Sequence, residues 1–251
     1  MPLMPGAEPW SSEGSRVGIL VLHGFTGSPK SVRPWGQELA GEGWTVAVPR
    51  LPGHGTRWQD MNLTTWEDWY AEADRALSAL SSQCDTVFVM GLSMGGTLTL
   101  RLAEQHGDRI AGIALVNPSV QTERPDRHLL PLLSKVIGSL PGISNDIAKE
   151  GVDEGAYDRI PLRAAHSLSK LWGVVRADMP KVSQPLLLLR SAVDHVVEPS
   201  NARFILGNVS STDVTEIVLP DSYHVATLDH DAPLIVRESI AFVHRVASAD
   251  A

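Results

Sequence analysis

The residue of this chain best suited to nucleophilic chemistry is Ser93, in Gly91-Leu92-Ser93-Met94-Gly95. A short apolar run at residues 87–90 precedes it and is typical of a strand buried on both faces, and a helical pattern follows over residues 97–106. In a sharp turn between strand and helix, a side chain at either flanking glycine would collide with the neighbouring element. The turn therefore presents the serine hydroxyl above the helix N-terminus, where the Met94 N–H and the helix dipole meet developing negative charge.

A glycine-rich segment, His23-Gly24-Phe25-Thr26-Gly27, directly follows the first convincing buried strand at residues 17–22. The glycines let this loop curl back over the sheet edge and direct the Phe25 N–H towards the space above Ser93. The N–H groups of Phe25 and Met94 are thus predicted to form an oxyanion hole, which stabilises the negative oxygen of a tetrahedral intermediate. An ordinary strand-to-helix turn is the alternative explanation of His23-Gly24.

An activated serine requires a base that takes its proton and an acid that orients that base. In a doubly wound sheet, both must lie on loops at the edge where Ser93 emerges. Asp194 follows a predicted strand at 185–189 and His224 follows one at 214–219, which makes them our candidates. The competitors for the two roles are His195, His230, Asp221 and Asp229. We favour His224 because His195 belongs to the acid's own loop and His230 lies several residues beyond the turn.

The sequence predicts neither a metal site nor a nucleic-acid interface. Asp229-His230-Asp231 offers three potential metal ligands without a fourth, and a solvated loop with a helix cap explains them more simply. The formal net charge of −8 at pH 7 opposes nucleic-acid binding, which needs clustered Lys and Arg side chains. The same charge disfavours permanent docking on anionic lipid. We therefore expect no cofactor, no metal and no nucleic-acid partner.

The composition is that of an ordinary globular protein, with 251 residues, of which 43% are hydrophobic and 20% charged. Cys84 is the single cysteine, so no disulfide forms within the chain and composition does not call for an oxidising compartment. The first ten residues lack the basic and apolar stretches of a secretory leader, and no later run is long enough to cross a bilayer. We expect a soluble cytoplasmic protein.

Strands and helices alternate along most of the chain. Residues 1–15, rich in Pro, Gly and Ser, are interpreted as a loosely held lead-in. The patterns predict strands at 17–22, 45–48, 87–90, 110–116, 185–189 and 214–219, and helices at 29–42, 66–80, 97–106 and 231–246. The alternation breaks between residues 120 and 179, which show only short helical pieces. We interpret residues 120–180 as a cap inserted over the active-site edge of a single domain, residues 1–251.

Five segments occur in order along nearly the whole chain. They are His23-Gly24-Phe25-Thr26-Gly27, Pro52-Gly53-His54-Gly55-Thr56, Gly91-Leu92-Ser93-Met94-Gly95-Gly96, Asp194-His195-Val196-Val197 and Ser222-Tyr223-His224. Together they resemble the bacterial carboxylesterase and monoacylglycerol lipase group of the α/β-hydrolase superfamily. The resemblance implies the α/β-hydrolase fold, a mostly parallel central sheet with helices on both faces and a small inserted cap. It also implies a Ser93, Asp194, His224 triad and an oxyanion hole from the Phe25 and Met94 amides.

The activity that the resemblance implies is hydrolysis of monoacylglycerols or short- to medium-chain carboxylic esters, through an acyl-enzyme on Ser93. In that group a cap carboxylate can bind the glycerol hydroxyls, and the best match here is Glu154 in Asp153-Glu154-Gly155-Ala156-Tyr157. A solvated cap residue is the alternative for Glu154. The cap also has an apolar surface, available to line an acyl pocket or, at most, to contact lipid transiently. The alternative, which accounts for most of this surface, is a cap that packs on its own base. The residues are Leu129, Leu130, Leu132, Leu133, Val136, Ile137 and Leu140.

Other functions remain open on the same scaffold because a fold does not fix a function. A peptidase or a carbon–carbon bond hydrolase would use the same triad. A non-catalytic small-molecule binding protein would keep the pocket and usually lack a triad member, whereas all three candidates are present here. A metal hydrolase would be sensitive to chelators.

Overall fold

The computed structural model describes residues 2–249, which form a central sheet and a small second one. The strands are β1 Trp10–Ser12, β2 Val17–Leu22, β3 Thr45–Val48, β4 Thr86–Leu92, β5 Gly112–Val116, β6 Ser139–Pro141, β7 Arg159–Pro161, β8 Leu186–Ser191 and β9 Val214–Leu219. The seven-stranded central sheet has the order β1-β3-β2-β4-β5-β8-β9. Only β1 pairs antiparallel in it, whereas β6 and β7 form a separate antiparallel ladder.

Helices cover both faces of the central sheet. They are α1 Arg33–Gly41, α2 Trp58–Met61, α3 Trp66–Ser81, α4 Met94–His106, α5 Leu130–Val136, α6 Leu162–Asp178, α7 Ser200–Asn208 and α8 Ala232–Ala249. On one face, α1 and α8 enclose an apolar cluster that includes Trp35 and Phe242. On the other, α3, α4, α6 and α7 contribute to a cluster that includes Trp69 and Leu171. The predicted fold class, a mostly parallel sheet with helices on both faces, is confirmed.

The parallel strands bring their carboxyl ends to one edge of the sheet. In register, Leu92 of β4 lies beside Val116 of β5, Val116 lies beside Leu189 of β8, and Ser191 lies beside Leu219 of β9. The chain leaves each strand there in a loop, and these loops hold the predicted site residues. Because β4 and β5 are buried on both faces, their sequences are continuous apolar runs without alternation.

The interpretation of residues 1–15 as a loosely held lead-in is wrong. β1 pairs with β3, Ala7 is fully buried, and the Met4 N–H donates to the carbonyl of Gly55 at 2.8 Å. A strand of three residues is too short to show periodicity, and the surrounding Pro and Gly residues conceal it. Helices α2 and α7 are further elements that the pattern did not predict.

The segment between β5 and β8 has more regular structure than the short helical pieces that its sequence indicated. It contains α5, the β6–β7 ladder and α6, a helix of 17 residues. The buried side chains of α6 belong to the same apolar cluster as those of α3 and α4, so α6 is part of the helical layer on the sheet. The residues before α6 supply side chains that face Ser93 across a cavity.

Two glycines allow β2, β4 and α4 to pass unusually close to one another. A Cβ on Gly91 would overlap the carbonyl group of Gly95, and a Cβ on Gly95 would overlap the carbonyl group of Leu22. Neither position accepts a side chain unless the backbone moves. These are the collisions that the Gly-x-Ser-x-Gly spacing predicts.

We expect Gly95→Ala to lower the free energy of unfolding by about 3 kcal/mol, because the added methyl group overlaps the Leu22 carbonyl. Gly173→Ala in α6 is the matched control, since the space around Gly173 is open and alanine favours the helix by about 0.5–1 kcal/mol. Urea unfolding curves of the two variants measure the difference. Coincident midpoints would show that the close approach is absent.

Candidate active site

Ser93 occupies a strained turn between β4 and α4. Its φ is 56° and its ψ is −117°, a conformation that residues other than glycine rarely adopt. The turn is held on both sides, because the Ser93 N–H donates to the carbonyl of Val116 at 2.9 Å and the Ser93 carbonyl accepts the N–H of Gly96 at 2.9 Å. Ser93 lines a cavity of about 670 Å³ at the carboxyl edge of the sheet.

Asp194 and His224 form a hydrogen-bonded pair in the wall of the same cavity. The Nδ1 of His224 lies 2.8 Å from Oδ2 of Asp194, and the two side chains are only 9% and 7% exposed. The other oxygen of Asp194 accepts the N–H groups of Val196 and Val197 at 2.8 and 2.7 Å. Its own loop therefore fixes the carboxylate, which in turn orients the imidazole and leaves Nε2 for a second partner.

Burial and charge act in opposite directions on this pair. Burial lowers the pKa of His224, but the carboxylates of Asp194, Glu154 and Asp146 outweigh it and raise this pKa above its ordinary value. Burial raises the pKa of Asp194, but His224 and the two backbone N–H groups outweigh it and hold this pKa below its ordinary value. The carboxylate thus stays ionised, and the imidazole readily accepts a proton.

The loop after β2 crosses directly over Ser93. A Cβ on Gly24 would lie 3.3 Å from Cβ and 3.8 Å from Oγ of Ser93, and the next residue, Phe25, lines the cavity. Met94 is the first residue of α4, so its N–H has no carbonyl one turn earlier to bind. The structure therefore places both predicted oxyanion-hole residues, Phe25 and Met94, beside Ser93.

Two buried histidines support this loop from below. The Nδ1 of His23 lies 3.0 Å from the carbonyl of Gly24, and its Nε2 accepts the N–H of Leu51 at 3.2 Å. Burial lowers the pKa of His23 to about 4, so this ring is neutral at physiological pH. His54 packs edge-on against His23 and Trp69, at centroid distances of 5.0 and 5.5 Å. Its Nδ1 lies 3.0 Å from the carbonyl of Pro52, so His54 is held within its own loop and contacts the β2 loop through the ring of His23.

Glu154 is buried in the wall of the cavity, which rules out a solvated cap residue. Its Oε1 accepts the N–H of Asn145 at 3.0 Å, and the side-chain oxygen of Asn145 accepts the N–H of Glu154 at 2.9 Å. Burial raises the pKa of Glu154, an effect that the Asn145 N–H and His224 reduce. This reciprocal pair fixes the carboxylate beside the loop after β2, where a Cβ on Gly27 would lie 3.8 Å from Oε2.

The residues that competed for the acid and base roles have other partners. His195 lines the cavity rim and its Nδ1 lies 2.7 Å from Oδ1 of Asp146. Asp221 and His230 are exposed and lie outside the cavity lining. Asp231 accepts the N–H of Asp221 at 2.8 Å, close to the start of α8. His195 is thus paired with Asp146, and neither Asp221 nor His230 lines the cavity that contains Ser93.

Asp229 is buried, so its interpretation as part of a solvated loop is wrong. Its carboxylate accepts backbone N–H groups at 2.7 to 2.9 Å from four residues: Ala148, Lys149, Tyr223 and His230. It therefore joins the segment between β6 and β7 to the loop of His224. Among residues 2–249, no group of three or more His, Cys, Asp and Glu side chains is arranged to hold a metal ion.

Asn117, at the end of β5, is a site residue that the sequence did not single out. Its Nδ2 donates to the carbonyl of His224 at 2.8 Å and to Oγ of Ser191 at 2.9 Å, while its Oδ1 accepts the Ser191 N–H at 2.7 Å. Asn117 has a φ of 44°. A polar residue directly after a buried strand was the available signal, but nothing in the sequence gave its partners.

Tyr157 is a second residue that sequence analysis missed. Its hydroxyl donates to the carbonyl of Gly53 at 2.8 Å and accepts the N–H of Thr56 at 3.0 Å. Its own N–H donates to the carbonyl of Thr26 at 3.2 Å. Tyr157 thus connects the inserted segment to two core loops, and it is one of the residues that line the cavity.

The chain matches a known family and several characterised relatives. The family described as serine aminopeptidase, S33 matches residues 14–231. A thermostable monoacylglycerol lipase of Bacillus sp. (strain H-257) is 42% identical, with 96% of each chain covered. A carboxylesterase of Bacillus subtilis (strain 168) is 25% identical, with 95% of this chain and 97% of that one covered. These matches span the five segments that carry the resemblance.

Solved structures agree with these sequence matches. A structure reported for LipS and LipT, two metagenome-derived lipolytic enzymes, has a TM-score of 0.94 and 44% identity and covers 97% of this chain and 100% of that chain. The monoacylglycerol lipase of Paleococcus ferrophilus has a TM-score of 0.78 at 20% identity, with 99% of each chain covered, and shows the shared fold.

The Asp194→Asn variant tests the electrostatics of the pair. Without this charge, burial has the stronger effect on the imidazole. We therefore expect the pKa of His224, which is raised in the wild type, to fall. An NMR titration of the imidazole, assigned with His224→Gln, measures it. The control is Asp213→Asn, an exposed carboxylate that pairs with Arg245 and should leave the titration unchanged. An unshifted His224 in Asp194→Asn would disprove the coupling.

Proposed function

The chain belongs to the serine aminopeptidase S33 family of α/β-hydrolases, and we propose that it is a serine hydrolase of monoacylglycerols and short- to medium-chain carboxylic esters. The observation that carries this proposal is the buried Asp194–His224 pair, which shares one cavity with the strained Ser93. The family description does not choose between peptides and esters. The two relatives that match over nearly the whole chain bear the names of ester hydrolases, which supports an ester substrate.

The proposed reaction has two steps. His224 takes the proton of Ser93 as the oxygen attacks the acyl carbonyl, and Asp194 holds the imidazole and stabilises its charged form. His224 then gives this proton to the departing alcohol, which leaves an acyl-enzyme on Ser93. Water then attacks the acyl carbon as His224 takes one of its protons, the bond between that carbon and Ser93 Oγ breaks, and His224 returns the proton to Oγ as the acid leaves. The electrostatics of the pair fit this cycle, since the same ring must accept and return a proton in each step.

The backbone N–H groups of Phe25 and Met94 are the proposed donors to the oxyanion. The loop of Phe25 crosses over Ser93, and the Met94 N–H is free of an intrahelical acceptor because it begins α4. Removal of one such donor in serine hydrolases costs about 3 kcal/mol of transition-state stabilisation. His23 binds the carbonyl of Gly24 and the N–H of Leu51, and would act on the reaction only through the position of this loop.

The polar part of the cavity is the proposed site for the glycerol moiety. Glu154 offers a fixed carboxylate there, and Tyr157 and Thr26 line the same region. A carboxylate binds two neighbouring hydroxyl groups well because it accepts hydrogen bonds on both oxygens. The apolar part, which includes Ile143, Ile160 and Val196, suits a single acyl chain.

The segment at 120–180 is the proposed cap of a single domain, and its outer surface suits transient contact with lipid. Several large apolar side chains there are exposed: Leu129, Leu132 and Val136. Within residues 2–249, no helix is long and apolar enough to cross a bilayer. A cytoplasmic location stays a prediction, supported by the buried free thiol of Cys84.

Turnover of a chain-length series of p-nitrophenyl esters and of 1-monoacylglycerols tests the reaction. We expect Ser93→Ala to lose about 10⁴- to 10⁶-fold in kcat/KM, because it lacks the nucleophile. Ser119→Ala is the control: it removes another buried hydroxyl, whose residue contacts the Ser93 backbone but does not line the cavity. A wild type that hydrolyses peptides but not esters would replace the proposed substrate class. A wild type inactive on esters and on peptides would favour a binding protein.

Glu154→Gln tests the glycerol site. The amide oxygen still accepts the Asn145 N–H, but the negative charge is lost, so KM for a 1-monoacylglycerol should rise about tenfold. KM for the methyl ester of the same acid should hardly change, because methanol has no further hydroxyl groups. Glu150→Gln, an exposed carboxylate outside the cavity lining, is the control. An equal rise for both esters would assign Glu154 another role.

A further inference from the structure

Asp146, between β6 and β7, contacts both loops that carry the acid and the base. Its Oδ1 lies 2.7 Å from Nδ1 of His195, the residue next to Asp194. Its Oδ2 accepts the N–H of His195 at 3.2 Å and the N–H of His224 at 3.1 Å. Its carbonyl accepts the N–H of Val225 at 3.1 Å. One largely buried side chain, 9% exposed, thus joins the cap to two separate loops of the core.

Other backbone groups of the His224 loop form hydrogen bonds with side chains of the core. Asn117 donates to the carbonyl of His224 at 2.8 Å, and Asp229 accepts the N–H of Tyr223 at 2.9 Å. The N–H of His224 itself is bound by Asp146, a residue of the inserted segment. The backbone that aims the imidazole therefore depends on a cap residue as well as on the sheet.

Asp229 also connects the cap with the loop of His224, but here the carboxylate belongs to the core. It extends from the His224 loop and accepts the N–H groups of Ala148 and Lys149 at 2.7 and 2.9 Å. Two carboxylates, one from each side, thus fasten residues 146–149 to the loop of the base. These hydrogen bonds hold the segment against the loop of His224.

We propose that Asp146 is a positioning residue for ester hydrolysis. It fixes the His224 backbone and, through His195, holds the loop of Asp194 in place beside the loop of His224. The inference rests on the proposed function, because it concerns the acid and base of that reaction. Asp146 acts through His224 and takes no proton from the substrate. A misplacement of a base by about 1 Å can cost about a hundredfold in rate.

Charge gives Asp146 a second effect that a purely structural contact would lack. The charged groups facing His224 are Asp194 from the loop after β8 and Asp146 and Glu154 from the cap, while His195 faces the outer side of Asp146. All three carboxylates raise the pKa of His224. Loss of the Asp146 charge lowers the pKa of His224, so the imidazole stays neutral at more acidic pH. The acid limb of the pH profile of kcat/KM therefore moves to lower pH.

Two substitutions separate geometry from charge. In Asp146→Asn, the amide oxygen still accepts the His224 N–H and the NH₂ group can donate to His195, so kcat should stay within about threefold of wild type. Its acid limb should nevertheless move to lower pH. Asp146→Ala loses both the hydrogen bonds and the charge, so kcat should fall about ten- to a hundredfold with KM little changed. The acid limb should move in this variant as well.

The control is Asp178→Ala, which removes a carboxylate that joins α6 to Arg101 of α4, at 2.8 Å, away from the cavity. It should leave kcat and the pH profile unchanged. An NMR titration of His224 in Asp146→Asn gives the electrostatic effect without any turnover. An inactive wild type would refute the proposed function, whereas the same titration would still report on Asp146.

The proposal is overturned if the wild type is active and Asp146→Ala keeps its kcat, or if it changes only KM. It is also overturned if Asp146→Ala and Asp178→Ala lose activity equally, because the effect would then be a general loss of stability. A His224 titration that is identical in wild type and Asp146→Asn would refute the electrostatic part.

Discussion

The close passage of α4 against β2 and β4 is the constraint on which the site depends. It exists because Gly91 and Gly95 have no side chains, so helix and strands meet through their backbones. The contact forces Ser93 into its positive φ, and the same contact brings Leu22, the residue before the His23 loop, against α4. The same close packing thus places both Ser93, the proposed nucleophile, and the loop of Phe25. Strain at Ser93 is offset by the buried sheet around it.

The proposed base, His224, is positioned in a different way. His224 lies in a loop after an edge strand that is largely exposed, so the sheet alone cannot fix it. Its place depends on polar side chains from distant elements: Asn117, Asp146, Asp194 and Asp229. Each of these groups has its own buried hydrogen bonds, so their geometry is set before substrate binds. Such pre-organisation lowers the reorganisation that proton transfer requires.

The sequence predicted well whatever depended on local pattern. Central strands such as β4 and β5 were found because burial on both faces requires continuous apolar runs, and Ser93, Asp194 and His224 were placed by their position after strands. Strand β1 and helix α6 escaped detection, the former because it is three residues long and the latter because it follows a Pro-rich and Gly-rich stretch. Asp146 and Asn117 escaped because their partners lie 78 and 107 residues away, and no local pattern encodes such a pairing.

The cap is therefore more than a cover. Two of its carboxylates, Asp146 and Glu154, lie close enough to His224 to favour its charged form, and Asp146 also binds its backbone. If the cap moved away from the core, His224 would lose two negative neighbours and one backbone partner together. The imidazole would then be a weaker base on a looser loop. Proton transfer in the proposed reaction would therefore depend on the contact between the inserted segment and the core.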